Sequence, residues 1–418
     1  MSLALCDIMK TDFLDSPPFI PWRDPRTGVI SYLLAGAEDG SGRAAPHQQS
    51  FYYTASSLLR GDRYYWFYCI HPPTFVRTLG VLDLQEGTLR HLPHTAFTST
   101  SPMLDQHTGD IYWSTPEGIW QCGPHDCAAR LVNQYSLAQR ENFPVEGYAT
   151  HLTLSADRKL FFIDSVVGDS CLLGGAPLDG SPIEIWQRVP RTMQHGLASP
   201  TEPDLFLIAR DHYTDRSTGK SHCYDNRLWL IRRNGEIRPV FPTAEQAGEQ
   251  RPVSMANPHM ADPELARTTV TDPRAMHGHE WWSADGRSIY YIHYQTGIER
   301  VAVADACSPR ATPELVWAHD TVSHAHTSTD GSLLVLDALP SEDPQERHVR
   351  FVNLRTGRSV DIVSAYPGLP DPDWKRYHVH PHPHFCGEDR FVCYTTLIAG
   401  GRIDVAFVRV SDLLKATM

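Results

Sequence analysis

One pattern recurs seven times along this chain and restricts its fold more than any other feature. A tight turn containing Gly, Pro or Asp is followed each time by a short run rich in aromatic and aliphatic residues, as in LDQHTGDIYWS and SADGRSIYYIHY. Such runs between turn-forming residues are typical of β-hairpins. The turns are separated by 48, 48, 46, 82, 45 and 59 positions and are centred on Gly61, Gly109, Asp157, Pro203, Asp285, Asp330 and Asp389.

Two further strand-like segments follow most of the hairpins, as in VRFVNLRTGRSVDIV. Four strands in about 45 residues, repeated seven times, predict an all-β fold, a seven-bladed β-propeller. We expect residues 1–418 to form a single propeller domain. The last unit supplies three strands, so a strand at about residues 28–36 is expected to complete the last blade and close the ring, which removes exposed sheet edges. The long interval contains a Pro-, Ala- and Glu-rich stretch at about residues 243–275, expected to be an insertion in the fourth blade or in its connection to the fifth.

Histidine is abundant, with 22 in 418 residues, and it is concentrated where a propeller would bring residues together. The first strand of each blade lines the central channel, and the segment before each hairpin turn is the candidate for that strand. Six of these seven segments contain histidine. The histidines concerned are His47, His151, His195, His277, His279, His324, His326, His378, His380, His382 and His384.

Three of these histidines form a candidate metal site. Alternation with a period of two places His380 and His382 on one face of their strand, and His324 lies on the inner strand of the neighbouring blade. Imidazoles that converge in this way can bind a divalent metal. The alternative is that channel histidines only hydrogen-bond water and one another.

The overall charge argues against a nucleic-acid partner. The chain has 37 Lys and Arg against 49 Asp and Glu, a formal net charge of −12, whereas nucleic-acid binding depends on a dense basic surface. No run of 18 apolar residues predicts a transmembrane helix, and charges interrupt the N-terminal apolar stretch. Nine cysteines without CxxC spacing predict reduced thiols. We expect a cytoplasmic protein with no membrane partner, and its oligomeric state stays open.

Several segments resemble a known enzyme family. GHEWWSADGRSIYYIHY, VSHAHTSTDGSLLVLD and HVHPHPHFCGEDRFVCYTT are similar to the corresponding blades of oligogalacturonate lyases, and weaker similarity runs through HQQSFYYTASSLLRGDRYYWF, MQHGLASP and NRLWLIRRNGE. The resemblance covers most of the chain from about His47 onward. It implies a cytoplasmic seven-bladed propeller of pectin breakdown that cleaves short uronate chains by β-elimination. It also implies a divalent metal, typically Mn²⁺, with Ca²⁺ and Zn²⁺ as alternatives here.

The resemblance also implies roles for individual residues. His279 corresponds to the base that removes the proton α to the carboxylate, and Arg227 to an arginine that assists near the substrate. His324, His380 and His382 correspond to the metal ligands. The Gln that completes the family's site is replaced by Tyr377, with His378 beside it as a further candidate ligand, and another family segment is replaced by ARDHYTD near Arg210. The candidate substrate-binding residues are His47, His151, His195, Arg210 and Tyr377.

The chemistry of the residues agrees with β-elimination. The reaction needs a charge held against the uronate carboxylate, a base with a pKa near neutrality and a route by which the leaving oxygen gains a proton. Hydrolysis needs two carboxylates around the bond, and the inner strands offer mainly Glu280, which we expect to orient an imidazole. Two alternatives stay open: a lyase for a glucuronate-containing or rhamnose-linked oligosaccharide, with His151 or His195 as acid or base, and a non-catalytic propeller scaffold.

Overall fold

The structure, a computed structural model, describes most of the chain. The described residues are 12–34, 47–71, 74, 76–97, 101–139, 144–168, 170–190, 193–210, 213–214, 221–224, 227–241, 250–252, 277–308, 311–338, 347–367, 379–398 and 402–418. Within them, β-strands dominate, and the helices are one 3-10 turn (Phe13–Asp15) and a C-terminal helix, α1 (Val410–Ala416). No described helix is long and apolar enough to cross a membrane.

The strands follow one another along the chain in sets that correspond to the blades. The N-terminal strands and the first two blades contain β1 (Phe19–Arg23), β2 (Ile30–Leu34), β3 (His47–Gln49), β4 (Tyr64–Ile70), β5 (Arg77–Asp83), β6 (Thr88–Phe97), β7 (Met103–Leu104), β8 (Ile111–Thr115), β9 (Gly118–Cys122) and β10 (Arg130–Asn133). The third and fourth blades contain β11 (Val145–Gly147), β12 (Thr153–Leu154), β13 (Leu160–Val167), β14 (Ser170–Pro177), β15 (Glu184–Pro190), β16 (Met193–Ala198), β17 (Leu205–Arg210), β18 (Tyr213–Thr214), β19 (Ser221–Tyr224), β20 (Leu228–Arg232), β21 (Ile237–Pro239) and β22 (Gln250–Pro252). The last three blades contain β23 (His277–Trp282), β24 (Ser288–His293), β25 (Gly297–Ala302), β26 (Glu314–Ala318), β27 (Val322–Thr327), β28 (Leu333–Ala338), β29 (His348–Asn353), β30 (Arg358–Val363), β31 (His384–Cys386), β32 (Phe391–Thr396) and β33 (Asp404–Arg409).

Seven antiparallel sheets form the blades of a β-propeller, so the predicted fold class is confirmed. In each blade the sheet begins with the segment predicted to be innermost: β3, β7, β11 and β12, β16, β23, β27 and β31. The last sheet has the order β31, β32, β33, β2, β1. In it, β2 pairs with β33 through Tyr32 opposite Phe407 and Leu33 opposite Ala406, so strands from both ends of the described chain share one blade.

Apolar side chains on both faces of the blades explain why the sheets pack side by side. All seven residues of β4, YYWFYCI, are buried, because a blade is covered by a neighbour on each face. Trp66 of the first blade packs in one cluster with Trp113 of the second. At the seam of the ring, Phe67 of the first blade clusters with Phe19 and Phe407 of the last. Burial of side chains this large contributes about 1.5–3 kcal/mol each, before conformational entropy is subtracted.

Two details differ from the expectations or extend them. The alternation argument assumed a strand through His380 and His382, but β31 begins only at His384. These two histidines therefore converge through irregular backbone that precedes the strand. The fourth blade also carries a separate three-stranded sheet of β18, β19 and β22. Of the predicted insertion at 243–275, only Gln250–Pro252 belongs to the described residues, and it pairs with β19.

Candidate functional site

Three histidines of the inner segments have an unusual backbone conformation. His195, His279 and His382 have positive φ angles of 57°, 50° and 44°, a region that non-glycine residues rarely occupy. The pairing register shifts at His195, between Gln194 and Leu197, and it shifts at His279, between Gly278 and Trp281. A β-bulge of this kind re-aims one side chain out of the regular alternation. Strained residues held by a rigid frame are common at functional sites.

His324, His380 and His382 form a group with metal-binding geometry. One nitrogen of each ring lies within 4.8 Å of the others, so small rotations of the rings would bring all three onto one ion. Their rings are 4.3–5.7 Å apart, and the His324 and His382 side chains are buried. Burial and the neighbouring His324 lower the pKa of His380 to about 4, so this imidazole is neutral at neutral pH, as a metal ligand must be. The residues therefore fit a divalent metal.

Asp337 organises two of the three histidines. Both of its carboxylate oxygens lie 3.1 Å from Nδ1 of His324, and the carboxylate also accepts the backbone N–H groups of His324 at 2.9 Å and His382 at 3.1 Å. A carboxylate at Nδ1 holds the proton on that nitrogen and leaves Nε2 as the nitrogen that could bind a metal. Asp337 is fully buried on β28, so it fixes this geometry from behind the channel surface.

His279 lies next to the three-histidine group. Its ring centre is 4.4 Å from that of His324, and Nδ1 is hydrogen-bonded to the backbone carbonyl of Ser323. A carbonyl can only accept, so the proton is on Nδ1 and Nε2 is the nitrogen able to take up a proton. Tyr294 places its hydroxyl 3.5 Å from the same Nδ1. The arrangement suits a base beside a metal.

Arg227 approaches this group from the fourth blade. Its side chain is 14% exposed, and Nε lies 3.4 Å from the buried Glu280 carboxylate. The carboxylate of Glu280 therefore contacts a guanidinium rather than the imidazole that we expected it to orient. Gly278 permits the approach, because a Cβ there would lie 3.3 Å from Nε of Arg227 and 3.1 Å from the hydroxyl of Tyr294.

A second pair of imidazoles lies on the inner segments of the third and fourth blades. Nε2 of His151 lies 2.7 Å from Nδ1 of His195. Asp164 holds both segments, because it accepts the backbone N–H of Thr150 at 2.7 Å and that of Gly196 at 3.0 Å. Burial, with His195 nearby, lowers the pKa of His151 well below its usual value.

Tyr52 connects the two groups of histidines. Its ring stacks on His151 with centroids 4.4 Å apart and meets the ring of His382 edge-on at 4.8 Å. Burial and the nearby Glu280 raise the pKa of its hydroxyl, so Tyr52 stays protonated at neutral pH. The site thus contains a protonated phenol between a metal-binding group and a pair of imidazoles.

The remaining predicted site residues make other contacts in the structure or lie outside the described residues. His47 accepts the backbone N–H of Ile403 at 3.3 Å, at the seam between the first and last blades. Arg210 stands over the ring of Trp229, 5.8 Å from its centroid. Tyr377 and His378, the predicted substrate contact and additional ligand, lie outside the described residues.

Sequence reasoning missed four residues that contact the site: Tyr52, Arg77, Asp164 and Asp337. Asp164 and Asp337 had a recognisable signal, because each ends an apolar run on the second strand of its blade, in LFFID and LLVLD. A single carboxylate in such a run must be paired when it is buried. Tyr52 and Arg77 carried no comparable signal. A cavity of about 50 Å³ is lined by Arg77 together with His380 and His382, whereas the described residues that line a larger cavity of about 860 Å³ include no histidine.

Two solved structures of oligogalacturonate lyases are similar to this chain. One is an oligogalacturonate lyase in complex with manganese, with a TM-score of 0.69, 15% sequence identity, and coverage of 94% of this chain and 96% of that one. The other is the oligogalacturonate lyase of Vibrio parahaemolyticus, with a TM-score of 0.69, 16% identity, and coverage of 94% and 97%. No protein-family model and no curated protein sequence matches the chain. At this identity, the likeness shows the fold.

Proposed function

We propose that this protein is a metal-dependent lyase that cleaves short uronate-containing oligosaccharides, of the oligogalacturonate type, by β-elimination. The observation that carries the proposal is the placement of His279 against His324, so that an imidazole base adjoins a candidate three-imidazole metal site. The similar solved lyases, one of them a manganese complex, support both the substrate class and Mn²⁺. An all-imidazole donor set favours a transition metal over Ca²⁺, which prefers oxygen ligands.

The proposed reaction assigns a task to each group. His324, His380 and His382 would hold the metal, which supplies positive charge for the substrate carboxylate and so acidifies the neighbouring C–H. His279 would take the C5 proton on Nε2, while Ser323 keeps the opposite nitrogen protonated. The C5–H electrons form the C4–C5 double bond, and the C4–O bond breaks. Arg227 would stabilise the negative charge that develops at the carboxylate.

The leaving oxygen must gain a proton as the C4–O bond breaks. Tyr52 is the described group best suited to supply it, because it is protonated and lies between His151 and His382. The net charge of −12 does not oppose binding of an acidic sugar, since a metal and arginines at close range outweigh distant charges. We further propose a role in pectin breakdown in the cytoplasm.

The test is an incubation of purified, Mn²⁺-loaded protein with oligogalacturonate while the ultraviolet absorbance of the conjugated product is followed. We expect an absorbance increase that EDTA abolishes. Release of reducing ends without absorbance would indicate hydrolysis and contradict the proposal. His380→Ala should lose bound metal and activity, whereas His125→Ala, which changes an exposed histidine, should keep both.

A second candidate is a lyase for a glucuronate-containing or rhamnose-linked oligosaccharide. The His151–His195 pair favours it, because these imidazoles offer a second acid or base for another sugar configuration. An absorbance increase from such substrates, with none from oligogalacturonate, would select this candidate.

A further inference from the structure

A small cavity adjoins the metal-binding group on the side of the first blade. Arg77 and Tyr68 of that blade line it together with His380 and His382 of the last blade. Its volume is about 50 Å³. Since one water needs at least about 10–15 Å³ of such space, the cavity has room for a few waters or for a carboxylate group, and not for a whole sugar ring.

The lining of this cavity suits an anion. None of the described residues that line it is an Asp or Glu. Ser50 and Thr395 contribute hydroxyl groups that lie 2.9 Å apart, and both can act as donors. Among the described residues that line the cavity, Arg77 contributes the one permanent charge, because a guanidinium stays protonated even though burial lowers the pKa of Arg77.

Stacking on an aromatic ring orients Arg77. Its guanidinium carbon lies 5.2 Å from the centroid of the Tyr68 ring, which is buried. A guanidinium that stacks on a ring has little freedom to rotate, so its planar donor edge is presented in one direction. Arginine pairs with carboxylates through two parallel hydrogen bonds, a geometry that lysine does not reproduce.

We propose that Arg77 binds the carboxylate of the substrate's uronate residue beside His380 and His382 and thereby restricts the enzyme to acidic sugars. This inference rests on the proposed function and names the group that selects the substrate class. A carboxylate in this cavity would leave the sugar ring in the channel, toward Tyr52, which also lines the cavity. Neutral sugars and uronate methyl esters would gain nothing from Arg77.

Binding of galacturonate monomer tests the inference separately from catalysis, because the monomer has no glycosidic bond to eliminate. Calorimetric titrations of Mn²⁺-loaded protein would compare wild type, Arg77→Met, Arg77→Lys and Arg63→Met. Arg63 is the matched control, since it also stacks on a tyrosine of the first blade, 5.0 Å from the Tyr64 ring, and pairs with Asp83 away from this cavity. Metal content and melting temperature would be measured for every variant.

We expect Arg77→Met to weaken galacturonate binding by about 10- to 100-fold, the worth of a charged hydrogen-bonded pair. Arg77→Lys should keep part of the affinity, and Arg63→Met all of it. The methyl ester of galacturonate should bind wild type more weakly than galacturonate does, and it should bind Arg77→Met with the same affinity as wild type. Unchanged galacturonate affinity in Arg77→Met, or an equal loss for the ester, would overturn the assignment, as would a wild type that binds no galacturonate.

Binding and cleavage separate the two proposals. If the wild type binds galacturonate through Arg77 but cleaves no uronate oligosaccharide, the lyase proposal fails and the carboxylate site stands. If oligogalacturonate is cleaved and Arg77→Met binds galacturonate like the wild type, the lyase proposal stands and the carboxylate site fails. Should Arg77→Met not fold, the comparison of Arg77→Lys with wild type decides, because the lysine keeps the charge and loses the paired geometry.

Discussion

Replacement of Asp337 by Asn gives the sharpest test of how the metal site is organised. The change preserves the shape of the side chain but removes its charge and turns one acceptor oxygen into an NH₂ donor. The wild-type carboxylate accepts two backbone N–H groups and faces Nδ1 of His324. Because each carboxylate oxygen accepts one of the two backbone N–H groups, the NH₂ of the amide must face the N–H of either His324 or His382, whichever way the amide is turned.

The contacts of Asp337 set the expected magnitudes. A hydrogen bond to a charged group contributes about 1.5–3 kcal/mol, against about 0.5–1.5 kcal/mol for a neutral one, so we expect the free energy of unfolding to fall by about 1–3 kcal/mol. Loss of the carboxylate that orients a ligand histidine should weaken Mn²⁺ binding about 10- to 100-fold, which corresponds to about 1.4–2.8 kcal/mol.

Asp164→Asn is the matched control for this prediction. Asp164 occupies the same position in the third blade and also accepts backbone N–H groups from the inner segments of two successive blades. Its replacement should lower stability while leaving Mn²⁺ affinity within about twofold of wild type, because Asp164 contacts none of the three candidate ligands. Mn²⁺ affinity would be measured by electron paramagnetic resonance of the free ion, and stability by urea unfolding in EDTA. Equal Mn²⁺ affinities in Asp337→Asn and wild type would refute the reasoning.

Three further predictions concern the metal, the base and the pH dependence of stability. Mn²⁺ at 100 times its dissociation constant should raise the free energy of unfolding of wild type by about 2.7 kcal/mol, and it should leave that of His380→Ala almost unchanged. Equal increases for the two proteins in urea titrations would show that the metal binds elsewhere. His279→Ala should reduce the rate of uronate cleavage about 10²- to 10⁴-fold at unchanged Mn²⁺ content, and a full rate would remove His279 as the base. Burial and His348 lower the pKa of His319 to about 4 in the folded protein. As the pH falls, the unfolded chain therefore binds a proton at His319 before the folded protein does, and stability falls between about pH 6.5 and 4. His319→Gln should reduce that slope by at most about 1.4 kcal/mol per pH unit, and by less than this because solvent screens the half-buried ring. An unchanged slope in urea unfolding between these pH values would contradict the assignment.

Local patterns in the sequence were sufficient to predict the architecture. The turn at Gly109 and the apolar run after it predict one hairpin from local sequence alone. Seven such units at similar spacing can bury the apolar faces of their sheets in only a few arrangements. The inner strand of each blade could therefore be identified from its place before the turn. His324, His380 and His382 were brought together by this reasoning alone, and the structure places them within reach of one ion.

The sequence did not reveal how those histidines reach one another. His382 was predicted from strand alternation, yet it precedes β31 and has a φ of 44°, a conformation that the surrounding packing must impose. Alternation is a property of regular strands, so it cannot predict a side chain that irregular backbone or a bulge has re-aimed. The same holds for the bulged residues His195 and His279.

The sequence by itself determined the number of blades, the identity of the channel-lining segments and the candidate metal ligands, because hydrophobic patterning and turn chemistry act over a few residues. Only the tertiary structure decided which groups support the site. Asp337 orients a histidine 13 positions away and another 45 positions away, and Arg77 lies beside His380 across the seam of the ring. These contacts depend on the packing of one blade against the next. A local sequence pattern cannot specify which distant residues become neighbours when the ring closes.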